Sequence, residues 1–314
     1  MNLPMKPLKD VIPGIEAPES VMIPVHPDGD PLAEPADPHY LFSKELIKVT
    51  VAWLSGIATM VATGPTGSGK TMFFKNLAAL LGWPIVIVQC HERLEFQELV
   101  GRVTIKPDGS TGWADGPLII AMRLGAILLL DEIDFLQPGV VGALNAVLEG
   151  RPILIPETGD DIKPHLAFRV ALTGNNLTGD HGTTYRGTKV QNLAFLDRTI
   201  GFRFNYLPED DEVDVLKSKN NRLQDNVARV MVQFAAALRS MQSEGRIRET
   251  LSTRVLLNWA TFTTGFGGED EQSQAKALPL ALEPALTFRC GAESMAIINN
   301  ALRETLQRHY PALF

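Results

Sequence analysis

Residues 64–71 have the sequence GPTGSGKT and lie between an apolar segment, MVAT, and a segment led by MFF that has helical spacing. The pattern GxxxxGK followed by Ser or Thr, between a strand and a helix, is typical of a loop whose backbone N–H groups surround phosphate oxygens. Glycines allow the tight turn, Lys70 supplies a positive charge for the β- and γ-phosphates, and the hydroxyl of Thr71 is suited to Mg²⁺. The motif therefore predicts a site for ATP and Mg²⁺. The residues predicted to hold the nucleotide are Gly64, Pro65, Thr66, Gly67, Ser68, Gly69, Lys70, Thr71 and Met72.

A second motif, ILLLDEID at 127–134, places two carboxylates at the end of an apolar strand. In open α/β sheets, ligands bind at the carboxyl ends of the strands. We therefore expect Asp131 to coordinate Mg²⁺ through water, together with Thr71, and Glu132 to polarise the attacking water as a general base. The other interpretation, an acidic cluster that caps a helix, is disfavoured because the motif follows a complete phosphate loop.

Three further polar residues are candidates for the same site. The segment FRVALTGN at 168–175 predicts a strand that ends in an amide, and Asn175 is favoured over Asn176 as the group that orients the lytic water. Arg198 in FLDR and Arg254 in LSTR each lie near a predicted helix boundary. ATP hydrolysis needs cations that stabilise charge on the γ-phosphoryl oxygens, but an isolated arginine is usually a solvated surface charge. The residues alone leave the roles of both arginines open.

Apolar runs alternate with helical segments over most of the first 207 residues. Strands are predicted at 59–63, 84–89, 126–130 and 168–173, and helices at 40–57, 70–81 and 140–149. This alternation predicts an α/β fold in which helices flank a parallel sheet. Beyond residue 208 the pattern predicts only helices, at 209–217, 226–242, 253–261 and 295–309. We therefore expect a C-terminal domain that is all-helical.

The first 38 residues contain nine of the 21 prolines of the chain. Proline fixes φ and lacks a backbone N–H, so this stretch predicts an extended arm. The apolar residues between the prolines favour an arm laid on an apolar surface, such as a neighbouring subunit, over a disordered tail. The predicted domains are a proline-rich arm over 1–38, a nucleotide-binding domain over 39–207 and a helical lid over 208–314.

Charge and cysteine content restrict the classes of function. The formal net charge of −7 argues against a dedicated nucleic-acid binder, which usually has a basic face. Two cysteines without CxxC spacing predict no disulfide framework, and six histidines without ligand spacing predict no metal site beyond Mg²⁺. Prolines interrupt the N-terminal segment, and the apolar runs are too short to span a bilayer. We therefore expect a soluble, cytoplasmic protein without a membrane partner.

The motifs GPTGSGKT, LLLDEID, LTGNN, FLDR and LSTR, in this order, resemble those of an AAA+ ATPase of the MoxR branch. Within that branch the chain is most similar to the small ATPase subunits of aerobic cobaltochelatases, the CobS-like proteins. The likeness rests on DPHYLF at 37–42, LVGR at 99–102, DGPL at 115–118 and LSTRVLLNWA at 251–260, and its specific part is HLAFRVALTGNNLTGD at 165–180 and FNYLPEDDEVDVL at 204–216. It covers about residues 37–310, and the proline-rich segment before it is not explained by the family.

This resemblance implies an AAA+ P-loop fold and a homo-oligomeric ring, with a hexamer as the expected size and ATP at the subunit interfaces. Arg198 matches the arginine finger that acts on the neighbour's γ-phosphate, Arg254 matches sensor 2 in the helical lid, and Asn175 matches sensor 1. Residues 99–125 and 152–165 resemble two inserted hairpins that face the central pore or a partner.

The leading hypothesis is a Mg²⁺-dependent ATPase motor that remodels a partner protein, for which the resemblance implies a von Willebrand A domain. A narrower alternative is the ATPase subunit of a cobaltochelatase that inserts cobalt into a corrin ring. An alternative of another class is a nucleic-acid-associated motor of the McrB-like kind, which the acidic net charge disfavours. A further alternative is a structural ring that binds nucleotide only for assembly.

Overall fold

The computed structural model describes residues 3–28, 35–56, 59–175, 177, 188–189, 191 and 193–313. The chain divides into two compact units. The first is formed by the described residues of Met1–Gly64 and Gly69–Phe204, and the second by those of Pro65–Ser68 and Asn205–Phe314. Asn176, the alternative to Asn175, lies outside the described residues.

The first unit contains short strands and helices in alternation. Its strands are β1 Met5–Pro7, β2 Met22–Pro24, β3 Thr59–Thr63, β4 Ile85–Gln89, β5 Gly101–Ile105, β6 Thr111–Asp115, β7 Ile127–Asp131, β8 Ile153–Ile155, β9 Asp160–Ile162, β10 Arg169–Gly174 and β11 Thr199–Arg203. Its helices are α1 Leu8–Val11, α2 Lys44–Leu54, α3 Lys70–Leu81, α4 Phe96–Val100, α5 Pro117–Leu124, α6 Pro138–Leu148 and α7 Leu193–Leu196.

The second unit is mainly helical. It contains α8 Glu209–Lys219, α9 Asp225–Ser243, α10 Thr253–Gly267, α11 Glu271–Ala285 and α12 Ala292–His309. The helices enclose an apolar core of their own, in which Phe234 and Trp259 pack edge to face. No helix among the described residues has both the length and the apolar character needed to cross a membrane.

Five strands form the central sheet of the first unit, in the order β11-β3-β10-β7-β4, and all neighbouring pairs are parallel. Strand β7 shows why both faces are covered. Ile127 and Leu129 belong to an apolar cluster with residues of α2 and α3, whereas Leu128 and Leu130 belong to a cluster with residues of α5 and α6. Because successive side chains of a strand point to opposite faces, a continuous apolar run predicts a strand buried on both sides. The parallel α/β fold expected from the sequence is confirmed.

Residues at the helix ends explain where several elements start and stop. The Ser43 hydroxyl accepts a hydrogen bond from the Leu46 N–H and caps α2, and Ser252 does the same for Val255 at the start of α10. Helix α3 ends where Gly82 takes the left-handed conformation, at φ of 62°.

Several elements of the structure were not predicted from the sequence, and β11 and α11 show why. Strand β11 has only five residues with Gly201 at its centre, and this glycine lies where a Cβ would come within 2.9 Å of Val61 Cγ1 on β3. Helix α11 contains Pro279 and Pro284, which normally argue against a helix interior. Its buried face packs against α10, where the Trp259 indole N–H donates to the Leu278 carbonyl, so tertiary packing overrides the local preference.

Residues 3–28 differ from the extended arm that the proline content predicted. Strands β1 and β2 pair as an antiparallel ribbon, with Met5 opposite Pro24. Ile12 and Ile23 are fully buried in the same apolar cluster as Phe74 of α3. This segment is therefore a packed layer of the first unit, because its apolar side chains cover a surface of their own chain.

Both predicted hairpins are present. Strands β5 and β6 pair antiparallel within 99–125, and β8 and β9 pair antiparallel within 152–165. Exposed apolar side chains are found on each: Ile105 is 81% exposed on the first hairpin, and Leu154 is 62% exposed on the second.

If the N-terminal layer contributes to the core, Ile12→Ala should lower the free energy of unfolding by about 2–4 kcal/mol, because it removes a fully buried side chain. Urea denaturation of the full chain measures this change. The matched control is Met5→Ala, since Met5 is 46% exposed in the same layer and should change stability by less than about 0.5 kcal/mol. Equal effects of the two substitutions would contradict the packing described above.

Candidate nucleotide-binding site

The loop between β3 and α3 has a backbone that requires glycine. Gly64, Gly67 and Gly69 have φ values of 139°, 72° and 90°. A Cβ on Gly64 would lie 2.2 Å from the Phe204 carbonyl oxygen, so a side chain is excluded there for a second reason. The loop therefore has the glycine-dependent turn of a phosphate cradle and is followed at once by the N-terminus of α3.

Lys70 and Asn175, both predicted site residues, are brought together by the sheet. The Lys70 ammonium is buried and donates to the Gly64 carbonyl oxygen and to Asn175 Oδ1, each at 2.9 Å. The Asn175 N–H in turn donates to Asp134 Oδ2 at 3.0 Å, and Asp134 is fully buried. These contacts hold the positive charge at the carboxyl ends of β3 and β10.

Thr71 and Asp131, the predicted metal ligands, are also adjacent. The Thr71 hydroxyl donates to Asp131 Oδ1 at 2.8 Å. The Thr173 hydroxyl also donates to Asp131 Oδ1, and its oxygen accepts a hydrogen bond from the Glu132 N–H at 2.9 Å. Carboxylate and hydroxyl oxygens are the ligand type that Mg²⁺ prefers, so this donor set fits that ion.

Glu132 has an unusual backbone. With φ of 59° and ψ of 48°, it is the one non-glycine residue with positive φ among the described ranges. Such a conformation is costly and persists only where neighbouring contacts hold it. The hydrogen bond to Thr173 is one such contact, and the Gln89 amide donates to Glu132 Oε2 at 2.6 Å.

The pKa of Cys90, which follows β4, reflects the negative charge at the carboxyl ends of these strands. Burial, and secondarily the carboxylates of Asp131, Asp134 and Glu132, raise the pKa of the Cys90 thiol to about 12. The thiol is therefore neutral near pH 7. The same negative potential favours a bound cation at the edge.

Arg198 lies near the amino ends of the strands, whereas the phosphate loop lies at their carboxyl ends. Arg198 directly precedes β11, whose Thr199 pairs with Thr59 at the start of β3, whereas the phosphate loop follows the other end of β3. Five residues at about 3.3 Å each separate the two edges by roughly 16 Å. The Arg198 Nε donates to Glu149 Oε1 at 2.7 Å, and the guanidinium also donates to the Ala194 carbonyl oxygen.

Arg254 belongs to the second unit, where it occupies the first turn of α10 and is exposed. Residues 65–68 of the phosphate loop belong to that unit too. A Cβ on Gly67 would come within 2.7 Å of the Ser252 side chain and 3.7 Å of Arg254 Cβ. Of the predicted nucleotide residues, Met72 is on the first turn of α3 and is 44% exposed.

Three residues of this cluster were missed in the sequence: Gln89, Thr173 and Asp134. Gln89 ends β4 and Thr173 is the last residue but one of β10, so both are polar residues at the carboxyl end of an apolar strand. That signal is the same one that identified Asn175. Asp134 stands within the DEID motif, but sequence alone does not tell that it is buried.

Two family models together match most of the chain. A family model described as an AAA domain of the dynein-related subfamily matches residues 60–198, and one described as the CbbQ/NirQ/NorQ C-terminal region matches residues 212–308. The chain is 33% identical to the aerobic cobaltochelatase subunit CobS from Sinorhizobium sp, over 78% of this chain and 77% of CobS. It is 30% identical to the protein NorQ of Paracoccus denitrificans, over 72% of this chain and 81% of NorQ. A solved structure of a mutant RuvB from Thermotoga maritima has a TM-score of 0.52 at 14% identity, covers 76% of this chain and 67% of its own, and is similar in fold alone.

Replacing the hydroxyl of Thr173 should impair ATP turnover without unfolding the chain. Thr173→Val keeps the shape of the side chain but removes its hydrogen bonds to Asp131 and Glu132, and we expect kcat to fall about tenfold or more. Steady-state phosphate release measures this. Thr104→Val is the matched control, because it removes a threonine hydroxyl that bonds to the Gly112 carbonyl on the β5–β6 hairpin. Equal turnover of Thr173→Val and the control would contradict a role for Thr173.

Proposed function

The chain belongs to the AAA+ ATPases of the MoxR, CobS and NorQ type, and on that premise we propose that it is a ring-forming, Mg²⁺-dependent motor that remodels a partner protein. In this proposal the nucleotide is held by residues 64–72. The predicted division remains part of the proposal for nucleotide binding in 39–207 and a lid in 208–314. The segment 1–38 is no longer proposed as a separate arm, since its described residues 3–28 pack within the first unit.

Each polar group at the sheet edge has a proposed task that follows from its chemistry. Lys70 binds the β- and γ-phosphate oxygens, and exchanges its contact with Asn175 for them. Thr71 and Asp131 hold Mg²⁺, which when bound neutralises charge on those oxygens. Glu132 accepts a proton from the attacking water, and Asn175 orients that water.

The proposal that hydrolysis needs a second copy of the chain is supported by the position of Arg198. Arg198 precedes β11, and the phosphate loop follows the far end of the neighbouring strand β3. The intervening distance of roughly 16 Å is more than one arginine side chain spans. Arg198 is therefore suited to act on the nucleotide of an adjacent subunit, where its charge stabilises the γ-phosphoryl oxygens.

A mixing experiment tests this arrangement. Lys70→Ala should abolish nucleotide binding and Arg198→Ala should lower kcat at least about a thousandfold, the loss expected for an arginine finger. Mixed in equal amounts, the two variants should regain activity, because about a quarter of the interfaces combine an intact loop with an intact Arg198. Phosphate release by each variant and by the mixture is the measurement.

The control for Arg198 is Arg151→Ala. Arg151 forms an ion pair with the same Glu149 carboxylate and is more exposed than Arg198. It should retain the turnover of the unmodified chain. A mixture as inactive as its components, or an Arg198→Ala variant as active as Arg151→Ala, would overturn the shared site.

A polypeptide partner is supported by the two hairpins. Val103 and Ile105 on β5 and Leu154 on β8 are more than half exposed, although they are apolar. Exposed apolar groups of this kind are typical of protein contact sites. The net charge of −7 favours a protein partner over nucleic acid. We propose, from the family resemblance alone, that this partner carries a von Willebrand A domain.

The partner can be tested with a variant that binds ATP and does not hydrolyse it. Glu132→Gln should retain a von Willebrand A-domain protein in the presence of ATP and release it when ATP is replaced by ADP. Affinity capture followed by mass spectrometry identifies what is bound, and Lys70→Ala is the control that should bind nothing in either case. The same proteins on both variants would argue against an ATP-dependent partner.

The 33% identity with CobS favours a second candidate, the ATPase subunit of a cobaltochelatase. The chain is nearly as similar to NorQ, which is not named as a chelatase subunit. The sequence identity with CobS therefore supports a motor more directly than it supports a particular substrate. Reconstitution with the other chelatase subunits separates the two candidates, since a chelatase role requires ATP-dependent insertion of cobalt into a corrin ring.

A further inference from the structure

The segment FNYLPEDDEVDVL at 204–216 borders the phosphate loop through Phe204 and also contributes a buried charge. Glu212 on α8 is fully buried. Its two carboxylate oxygens accept hydrogen bonds from the two terminal nitrogens of Arg239 on α9, each at 2.8 Å. Glu212 Oε1 also accepts a hydrogen bond from the Thr253 hydroxyl at 2.6 Å. A parallel fork of this kind is the most directional contact between an arginine and a carboxylate.

The remaining nitrogen of Arg239 extends the contact to the start of α10. Arg239 Nε donates to the Leu251 carbonyl oxygen at 2.9 Å. Leu251 and Thr253 stand on either side of Ser252, which caps α10. The pair of Glu212 and Arg239 therefore fixes the turn from which α10 begins, and Arg254 is the second residue of that helix.

Tyr206 connects this pair to the phosphate loop. Its ring lies against the Arg239 guanidinium, 3.8 Å from the carbon of the guanidinium to the ring centre. Its hydroxyl donates to the Thr66 carbonyl oxygen at 3.1 Å. Within the second unit, a continuous series of contacts thus runs from Thr66 through Tyr206 and Arg239 to the residues that flank Arg254.

We propose that Tyr206, Arg239 and Glu212 are positioning residues that set Arg254 against the bound nucleotide. The inference rests on the proposed role of Arg254 as sensor 2. The fork keeps the start of α10 in one orientation, because separating the two charges would leave the fully buried Glu212 carboxylate without its cation. The Tyr206 hydroxyl then ties that orientation to the conformation of the phosphate loop at Thr66.

The sharpest test removes one oxygen atom. Tyr206→Phe retains the ring over Arg239 and loses the hydrogen bond to Thr66, and we expect the KM for ATP to rise about three- to tenfold, the range for one hydrogen bond. The Kd of a fluorescent ATP analogue should rise by the same factor. Arg239→Lys, which keeps the charge and loses the fork, should change both quantities in the same direction.

A double-mutant cycle tells positioning from a general loss of stability. If Tyr206 acts through Arg254, then Tyr206→Phe should weaken nucleotide binding in the unmodified chain and leave it unchanged when Arg254→Ala is already present. Tyr310→Phe is the matched control, because Tyr310 donates to Glu271 Oε1 at 3.1 Å in the same unit and has no contact with this series. It should bind ATP as the unmodified chain does.

Two results would overturn the inference alone. One is a Tyr206→Phe variant with unchanged KM and Kd, and the other is an equal loss from Tyr206→Phe with and without Arg254. A third result, an Arg254→Ala variant that binds and hydrolyses ATP normally, would remove the proposed role of Arg254 and the inference with it. The single variant of Arg254 therefore tells the two failures apart.

Discussion

The parallel register of β3, β10 and β7 is the constraint on which the candidate site depends. Leu172 of β10 lies beside Val61 of β3 and also beside Leu130 of β7. With these apolar residues aligned, the next positions bring Thr173 to the end of β7, where its hydroxyl bonds to Asp131. A slip of one residue would turn every side chain of a strand to the opposite face. The apolar packing of the sheet therefore determines which polar groups meet at its edge.

Because the polar groups at the carboxyl ends of the strands are buried, each of them needs a hydrogen-bond partner. Lys70, Asp134 and Thr173 are all buried, and a buried polar group is costly unless it is hydrogen-bonded. The contacts from Lys70 to Asn175, from Asn175 to Asp134 and from Thr173 to Asp131 meet this demand. They also hold the groups in fixed positions, which a site that acts through charge requires.

Periodicity and motif spacing predicted the four strands β3, β4, β7 and β10 and the helix that follows the phosphate loop, because each has a long apolar or helical pattern. They did not predict β11, since a five-residue strand with Gly201 at its centre has a weak signal and exists through its pairing with β3. The same limit applies to the site. Lys70, Thr71 and Asp131 belong to motifs with fixed spacing, whereas Gln89 reaches Glu132 only because β4 and β7 are neighbours in the sheet. Contacts made across the sheet depend on strand order, which a local pattern does not contain.

The contacts of Arg198 follow from the same topology. Its partner Glu149 lies beyond the end of α6, and the hydrogen bond from Arg198 is the main cause that holds the pKa of that carboxyl below its ordinary value. The carboxylate is therefore charged at neutral pH, and the pair is intact there. Both side chains are about one-third exposed, however, and solvent weakens an ion pair in such a position. Glu149 also forms an ion pair with Arg151, so its carboxylate would keep a cation if Arg198 moved away. The role proposed for Arg198 requires it to exchange Glu149 for a phosphate oxygen, and a partly exposed ion pair whose carboxylate keeps a second cation lowers the cost of that exchange.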